Sequence, residues 1–525
     1  MYFFITSKID SLPSAIELAM IQRQQLFTKH RVPSLIVTRN FVRDMHRNMH
    51  IIGLDDEFQV NMYDFFQGTT DYEGQPLTAA NYPRVNGETL ELISKNEFDV
   101  VQRDIRQKAI VLNGRGEVDY VDILNPQGAV SRRDYYDTRG YLTVAQYFDV
   151  NQNIVLEQHL NLHGHPVLET YFRPNAQNQP VATHQRLVNY HGADYEFEDW
   201  DQLTAFFLDE LNKEFGGHGT MIVDRSDAGM NPIVDMKTVA RKYEFLHSNF
   251  TLDPLDVVNS PIVPFTQIGL DHADQMSGFI MSTQGEADDM TNHIHNVVKT
   301  LAIPVGSVSD EQLAVKPVDF NLRTTGKIVA IARLSEEKQL DQLIKAVAYV
   351  HEKVPEVTLD IYGYGDSWTG FKEEKRLRSL VNSQQWQTFI KFQGFKHDLA
   401  PIYNDAQLMV LTSRYEGFNL GILEGLSHGV PVVAYDIKYG PSEMITNDQN
   451  GCLVEPNNLV ELGRVILRLL QNPTKLAQMS ESAYANSAKF SETMIWQKWN
   501  DLVIQPDIQA MRGEQAYDDQ LGNIS

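Results

Sequence analysis

The stretch Leu408-Met-Val-Leu411, followed by Ser413-Arg-Tyr-Glu416-Gly-Phe-Asn-Leu-Gly-Ile-Leu-Glu424-Gly-Leu-Ser-His-Gly429-Val-Pro431-Val-Val, decides the fold. A short apolar run, a loop, a helical segment and a second apolar run at Val432–Tyr435 read as strand, helix, strand. Upstream, the apolar runs Ile328–Ala332, Val357–Tyr362 and Ile390–Gln393 alternate with the helical stretches Asp341–Lys353 and Lys372–Asn382. Continuous apolar strands separated by helices imply a parallel sheet covered on both faces, hence an α/β domain. Glu416 and Glu424 follow one of these strands and face the carboxyl end of the sheet, where loop amides and helix N-termini converge on ligands. Carboxylates there suit a ligand rich in hydroxyl groups. Taken alone, the same spacing also fits a capped surface helix.

The chain before this domain has two textures. Tyr2–Thr6, Ser14–His30 and Ser34–Thr38 read as strand, helix and strand. From about 46 to 200, short β-rich segments are separated by turns such as Asn125-Pro-Gln-Gly128, Thr138-Arg-Gly140 and His163-Gly-His165, which predicts an antiparallel meander. Helix–strand alternation resumes with Gln202–Phe215, Met221–Asp224 and Phe279–Ser282. The expected organisation is a first Rossmann-like domain from 1–45 and 201–310, with a β-meander inserted at 46–200. A second Rossmann-like domain covers 311–488, a closing helix 489–505 and a loose tail 506–525.

Lys and Arg number 45 against 69 Asp and Glu, giving a net charge of −24. That balance argues against a general nucleic-acid or anionic-membrane binder, so an anionic ligand needs a local cationic pocket. A single cysteine, Cys452, excludes a disulfide scaffold and suits a reducing compartment. Neither a spanning apolar run nor a secretory leader is read, so a cytoplasmic protein is expected, peripheral at the inner membrane face at most.

Further motifs follow other strands. Arg333 and Lys338 straddle the turn after Ile328–Ala332, a place for a guanidinium fork and a point charge on a diphosphate. Ordinary helix-start chemistry explains the same residues. Asp360-Ile-Tyr-Gly363-Tyr-Gly365 closes a strand and lets a base or sugar approach the backbone, and Tyr439-Gly-Pro-Ser-Glu443 forms another strand-end loop.

Together these residues resemble a retaining nucleotide-sugar glycosyltransferase of the two-Rossmann GT-B architecture, carbohydrate-active family 4, with Glu416 and Glu424 as its E-x7-E pair. The inserted meander and the Tyr439–Glu443 loop are similar to poly(glycerol-phosphate) α-glucosyltransferases of teichoic acid synthesis. They are also similar to the enzymes that begin O-glycosylation of serine-rich surface proteins. The resemblance implies two domains facing a cleft and transfer of glucose or N-acetylglucosamine from a UDP-sugar co-substrate, with no metal and no other cofactor. The acceptor would be poly(glycerol phosphate), a poly(ribitol phosphate) relative, or Ser/Thr of a surface protein. A non-catalytic partner subunit on the same fold is the alternative of a different class.

The resemblance also implies residue roles. Arg333 and Lys338 bind the diphosphate, and Glu424 holds the ribose. Glu416 and His247 face the donor sugar. Gly417, Phe418, Asn419 and Leu420 offer backbone amides, and Gly363 lets the nucleotide approach. The first loop, Lys8–Ser14, carries no glycine, leaving Ser14 and Ala15 as stand-ins for a phosphate or acceptor loop. The run containing Lys29, Arg31, Arg39, Arg43 and Arg47 is a solvated face or a strip for an anionic acceptor. The meander offers a surface for self-association or a partner subunit. Asp199-Trp-Asp201 reads as a helix cap rather than a metal motif, and His163-Gly-His165 as a surface turn.

Overall fold

The computed structural model describes residues 1–510, which divide into two units, Met1–Lys242 and Tyr243 onward. The first unit opens with β1 (Tyr2–Thr6), α1 (Ala15–Lys29), β2 (Ser34–Thr38), α2 (Met45–Ile51), β3 (Gln59–Asn61) and α3 (Met62–Gln67). β1 pairs in parallel with β2, and β2 with β3. Residues 46–67 were expected in the insertion but belong to this sheet layer. Gln59 and Asn61 are buried and donate to Thr38 Oγ1 at 2.7 and 2.8 Å, which fixes β3 at the sheet edge.

The inserted sheet has ten antiparallel strands in sequence order. They are β4 (Glu88–Ser94), β5 (Glu97–Gln102), β6 (Ile105–Leu112), β7 (Val118–Leu124), β8 (Val130–Tyr136), β9 (Leu142–Phe148), β10 (Ile154–Leu160), β11 (Pro166–Pro174), β12 (Pro180–Tyr190) and β13 (Ala193–Phe197). Its turns repeat one device that sequence reading missed. Asn113, Asn125, Asp149, Asn161 and Asn175 each accept from the backbone N–H groups two and four residues on, at 2.8–3.2 Å. The residue three positions on has positive φ in each case: Gly116, Gly128, Gln152, Gly164 and Asn178. An Asx side chain that closes the turn and a left-handed residue behind it set hairpin register. His163-Gly-His165 is one of these turns.

A buried ionic cluster ties α2 and α3 to the turn between β8 and β9. His46 Nδ1 lies 2.7 Å from Asp56 Oδ1, and its Nε2 lies 3.1 Å from Asp64 Oδ2. Arg139 donates to Asp64 Oδ1 at 2.7 Å and to Asp137 Oδ1 at 2.9 Å. The strip read for an anionic acceptor is also drawn into local pairs. Arg39 meets Asp201 at 2.7 Å, Arg43 meets Asp119 at 2.6 Å, and Arg47 meets Glu117 at 2.7 Å.

The unit closes with α4 (Trp200–Glu214), β14 (Thr220–Val223) and α5 (Ser226–Asp235), β14 pairing in parallel with β1. Asp199 caps α4 by accepting from the amides of Asp201 and Gln202, both at 2.9 Å, as the capping reading requires.

The second unit takes β15 (Arg241–Leu246) from Tyr243 on, then α6 (Pro264–Asp271), β16 (Gly278–Met281), α7 (Gln284–His293) and β17 (Thr300–Ala302). β15, β16 and β17 are parallel. After α8 (Asp310–Ala314) come β18 (Lys327–Ile331), α9 (Leu340–His351), β19 (Thr358–Tyr362), α10 (Lys372–Ser383), β20 (Ile390–Gly394) and α11 (Ala400–Asp405). They are followed by β21 (Leu408–Leu411), α12 (Leu420–Ser427), β22 (Val432–Tyr435), α13 (Gly440–Met444), β23 (Gly451–Val454), α14 (Leu459–Leu470) and α15 (Pro473–Ser487). These six strands form a parallel sheet in the order β20-β19-β18-β21-β22-β23. Its core includes Ile328, Ala330, Leu343, Val347, Leu408, Val410 and Val433, all at most 1% exposed.

α16 (Glu492–Trp499) returns to the strands that open this unit. Trp499 packs near Phe245 of β15, with ring centroids 6.1 Å apart. Residues 506–510, expected to begin a loose tail, are helical, and Asp507 is buried with a 2.8 Å hydrogen bond from Tyr243 Oη. The rest of that expected tail lies outside the described residues.

Candidate donor site

The strand order reverses between β18 and β21, which are neighbours. The loops leaving their carboxyl ends therefore emerge side by side, at the topological switch point where open α/β sheets bind ligands. Residues 332–339 carry Arg333 and Lys338, and residues 412–419 carry Glu416. Thr412 Oγ1 joins them by donating to the carbonyls of Lys338 and Gln339 at 2.9 and 3.1 Å. The Arg414 amide donates to Glu337 O at 2.8 Å.

Lys338 Nζ donates to Glu416 Oε1 at 2.8 Å, and Ser413 Oγ donates to the same oxygen at 2.6 Å. Arg333 is half exposed and donates to Glu337 Oε1 at 2.9 Å, which also accepts from Ser335 Oγ at 2.6 Å. Burial opposes the charge on Glu337, but the Ser335 bond and the fields of Arg333 and Lys338 hold its carboxyl below the usual range. Two cations are thus held by carboxylates at the carboxyl ends of the two central strands.

Gly417 shows how close His247 comes. A Cβ at Gly417 would lie 2.6 Å from His247 O, so only glycine fits where this loop crosses the segment after β15. His247 packs against Phe245, with ring centroids 4.5 Å apart. Phe418 turns into the core against Phe490, 5.7 Å between centroids. Asn419 has φ 83° and caps α12 by accepting from the Ile422 amide at 3.0 Å, which leads into Leu420 at the first helical position. Gly363, at the end of β19, sits against the loop that bears Arg333. A Cβ there would lie 1.9 Å from Ala332 O, so its absence serves backbone packing.

Glu424, one helical turn into α12, accepts from Tyr403 Oη at 3.0 Å. Burial pushes its carboxyl up, against the lowering effect of that bond. The buried Arg323 braces this corner, donating to Tyr403 O and His428 O at 2.6 Å and to Ala406 O at 2.7 Å. Tyr403, Ser413, Arg323 and Glu337 escaped the sequence reading. Only the hydrogen bonds they make in the folded chain mark them.

Ser14 and Ala15 lie in the first unit. Ser14 caps α1, accepting from the Ile16 amide at 3.2 Å and from Arg225 Nη2 at 2.9 Å. Glu17 Oε2 accepts from the Ser14 amide at 3.0 Å, and Glu17 is itself paired with Arg225 at 2.9 Å. The Glu17 carboxylate, from the first turn of α1 itself, thus occupies the start of that helix.

Residues 318–486, within the second unit, match the family "Glycosyl transferases group 1". The chain is 24% identical over 311 residues to the UDP-N-acetylglucosamine–peptide N-acetylglucosaminyltransferase GtfA subunit of Streptococcus agalactiae, covering 57% of this chain and 59% of that one. It is 34% identical over 173 residues to the poly(glycerol-phosphate) alpha-glucosyltransferase of Bacillus subtilis, covering 33% of this chain and 25% of that one. The chain thus matches less than two thirds of the length of these relatives. Its fold is similar to the crystal structure of the pneumococcal O-GlcNAc transferase GtfA in complex with UDP and GlcNAc. The TM-score is 0.79 at 21% identity, over 96% of this chain and 98% of that one. The fold is α/β of the GT-B type with an inserted antiparallel sheet.

Proposed function

We propose that this chain is a retaining UDP-sugar hexosyltransferase that moves glucose or N-acetylglucosamine to an acceptor hydroxyl. The observation that carries the reading is the Lys338–Glu416 pair at 2.8 Å, beside Gly417 and His247 and at the same carboxyl end of the sheet as Arg333. Arg333 and Lys338 bind the diphosphate and stabilise the charge that builds on it as the sugar departs. Glu416 and His247 face the sugar, the amides of residues 417–420 line its path, and Glu424 holds the ribose.

In the reaction the C1–O bond to UDP breaks and the acceptor oxygen bonds to C1 on the same face. The acceptor's proton passes to the departing phosphate oxygen. This front-face route uses no protein nucleophile. Charge neutralisation rests on Arg333 and Lys338, so transfer is expected to continue in a chelator.

For the acceptor, a teichoic acid of the poly(glycerol phosphate) type is supported by the 34% identity to a poly(glycerol-phosphate) alpha-glucosyltransferase. A second reading, Ser/Thr of a serine-rich surface protein, is favoured by the ion pairs that occupy Arg39, Arg43 and Arg47 and by the net charge of −24. A polyanion gains little from cations already neutralised. The name of the Streptococcus agalactiae relative includes "subunit", which supports work alongside a partner chain, with the inserted sheet as its surface. A cytoplasmic place, peripheral at the inner membrane face, is part of the same reading. Among the described residues no helix is long and apolar enough to cross a membrane.

The test is transfer from UDP-glucose and UDP-N-acetylglucosamine to poly(glycerol phosphate), poly(ribitol phosphate) and a serine-rich peptide, with UDP binding measured in parallel. Absence of both turnover and UDP binding would leave the partner-subunit alternative.

A further inference from the structure

Glu416 is fixed at both ends. Its carboxylate is held by Lys338 and Ser413, while its main chain is paired with residues 438–439 in the loop after β22. The Glu416 amide donates to Lys438 O at 3.1 Å, and the Tyr439 amide donates to Glu416 O at 2.6 Å. The side chains of those same two residues converge on α7. Lys438 Nζ lies 2.5 Å from Asp289 Oδ2, and Tyr439 Oη donates to that oxygen at 3.0 Å. Four residues on, in α13, Glu443 Oε1 accepts from the Gln284 and Gly285 amides at 2.8 and 3.3 Å, so the helix that follows the loop meets the first turn of α7 as well.

From this chain of contacts we infer that Asp289 is a positioning residue for Glu416, setting through Tyr439 where the donor-facing carboxylate sits. The inference rests on the donor reading above and adds a residue from α7, far in sequence from the E-x7-E segment. The two bonds at Asp289 are unequal. Lys438 is half exposed, and an exposed ion pair contributes little. Tyr439 is 4% exposed, so its phenol needs its partner and holds the backbone it belongs to. The working link is therefore Asp289–Tyr439–Glu416, with Lys438 an accessory. A shift of about 1 Å in a substrate-facing group lowers turnover on the order of a hundredfold, so a loosened Tyr439 affects catalysis more than nucleotide affinity.

The experiment compares Asp289→Ala, Tyr439→Phe and Lys438→Ala with the full wild-type chain, measuring UDP release from UDP-glucose or UDP-N-acetylglucosamine, UDP affinity by calorimetry, and thermal unfolding. Asp289→Ala and Tyr439→Phe should each lower kcat about tenfold or more with UDP affinity within about twofold, while Lys438→Ala stays within about twofold of wild type. In a Glu416→Ala background, Asp289→Ala should produce no further loss. Wild-type kcat in Asp289→Ala, a matching loss of UDP affinity, or an equal further loss in the Glu416→Ala background would overturn the inference. If wild type neither binds UDP nor turns over, the donor reading fails separately. Amide exchange at residues 414–418 then still decides the mechanical link: faster exchange in Asp289→Ala supports it, and unchanged exchange overturns it.

Discussion

Lys338 and Glu416 are 78 positions apart in the chain, yet their side chains meet at 2.8 Å, each less than a sixth exposed. The pair brings together the loops after two adjacent strands, and Ser413 shares its acceptor oxygen. Removing either member should lower sugar transfer on the order of a hundredfold, the scale of losing one preorganised charge-stabilising group. The two losses should differ in kind. Lys338→Ala should weaken UDP affinity, and Glu416→Ala should leave it near wild type. Steady-state turnover and UDP calorimetry on both variants check this, with thermal unfolding confirming a retained fold.

Tyr403→Phe removes the hydrogen bond to Glu424 and leaves a buried carboxyl to its own desolvation. The expected cost is about 1–3 kcal/mol in stability, together with weaker UDP binding as the ribose partner turns neutral. Because burial already raises the Glu424 carboxyl, UDP affinity in the wild type should fall as pH drops, beginning above the ordinary glutamate value of about 4.3. Glu424→Gln should flatten that dependence. Calorimetric titration with UDP across pH reads both effects.

Glu286, in the first turn of α7, is fully buried, and burial first, then the nearby Asp289 charge, pushes its carboxyl well above the usual range. The folded state therefore holds a proton that the unfolded chain releases above about pH 4.3. Stability contributed at low pH is lost as pH rises toward the folded-state value, at about 1.4 kcal/mol per pH unit. Glu286→Gln needs no proton, so its advantage over wild type should be near zero at pH 4 and should grow with pH. Denaturant unfolding at several pH values tests the sign.

His46 runs on a different cause. Burial works against its charge, but the hydrogen bond and field of Asp64, helped by Asp56, outweigh it and raise its pKa. A raised histidine contributes stability that is fully present below about pH 6.5 and is lost as pH rises through the folded-state value. His46→Gln should remove that alkaline loss while lowering stability at pH 6. Since the cluster ties α2 and α3 to the turn carrying Arg139, tryptophan fluorescence and amide exchange near residues 137–141 are suitable probes.

The parallel sheets were legible because buried strands leave uninterrupted apolar runs. Tyr2–Thr6, Ser34–Thr38, Leu408–Leu411 and Val432–Tyr435 match to the residue. The switch-point loops were legible because Arg333, Lys338, Glu416 and Glu424 follow such runs at fixed spacing. What spacing does not carry is who meets whom. Tyr403 and Arg323 belong to no motif that the sequence displays, and Arg39, Arg43 and Arg47 read as a solvated basic face or strip until Asp201, Asp119 and Glu117 fold onto them. The Asx turns at 113, 125, 149 and 161 were missed although their side chains bond only within four residues, because their common twelve-residue grid emerges once strand ends are known. Residues 46–67 misled because Gln59 and Asn61 are polar in a strand, their amides satisfied from Thr38.

Turnover of UDP-glucose and UDP-N-acetylglucosamine in the presence of each acceptor and a chelator tests the donor chemistry most directly. Wild type should transfer sugar with the anomeric configuration retained, and Lys338→Ala should lose about two orders of magnitude. Inverted product, or undiminished transfer by Lys338→Ala, would contradict the assignment of the donor site to Arg333, Lys338 and Glu416.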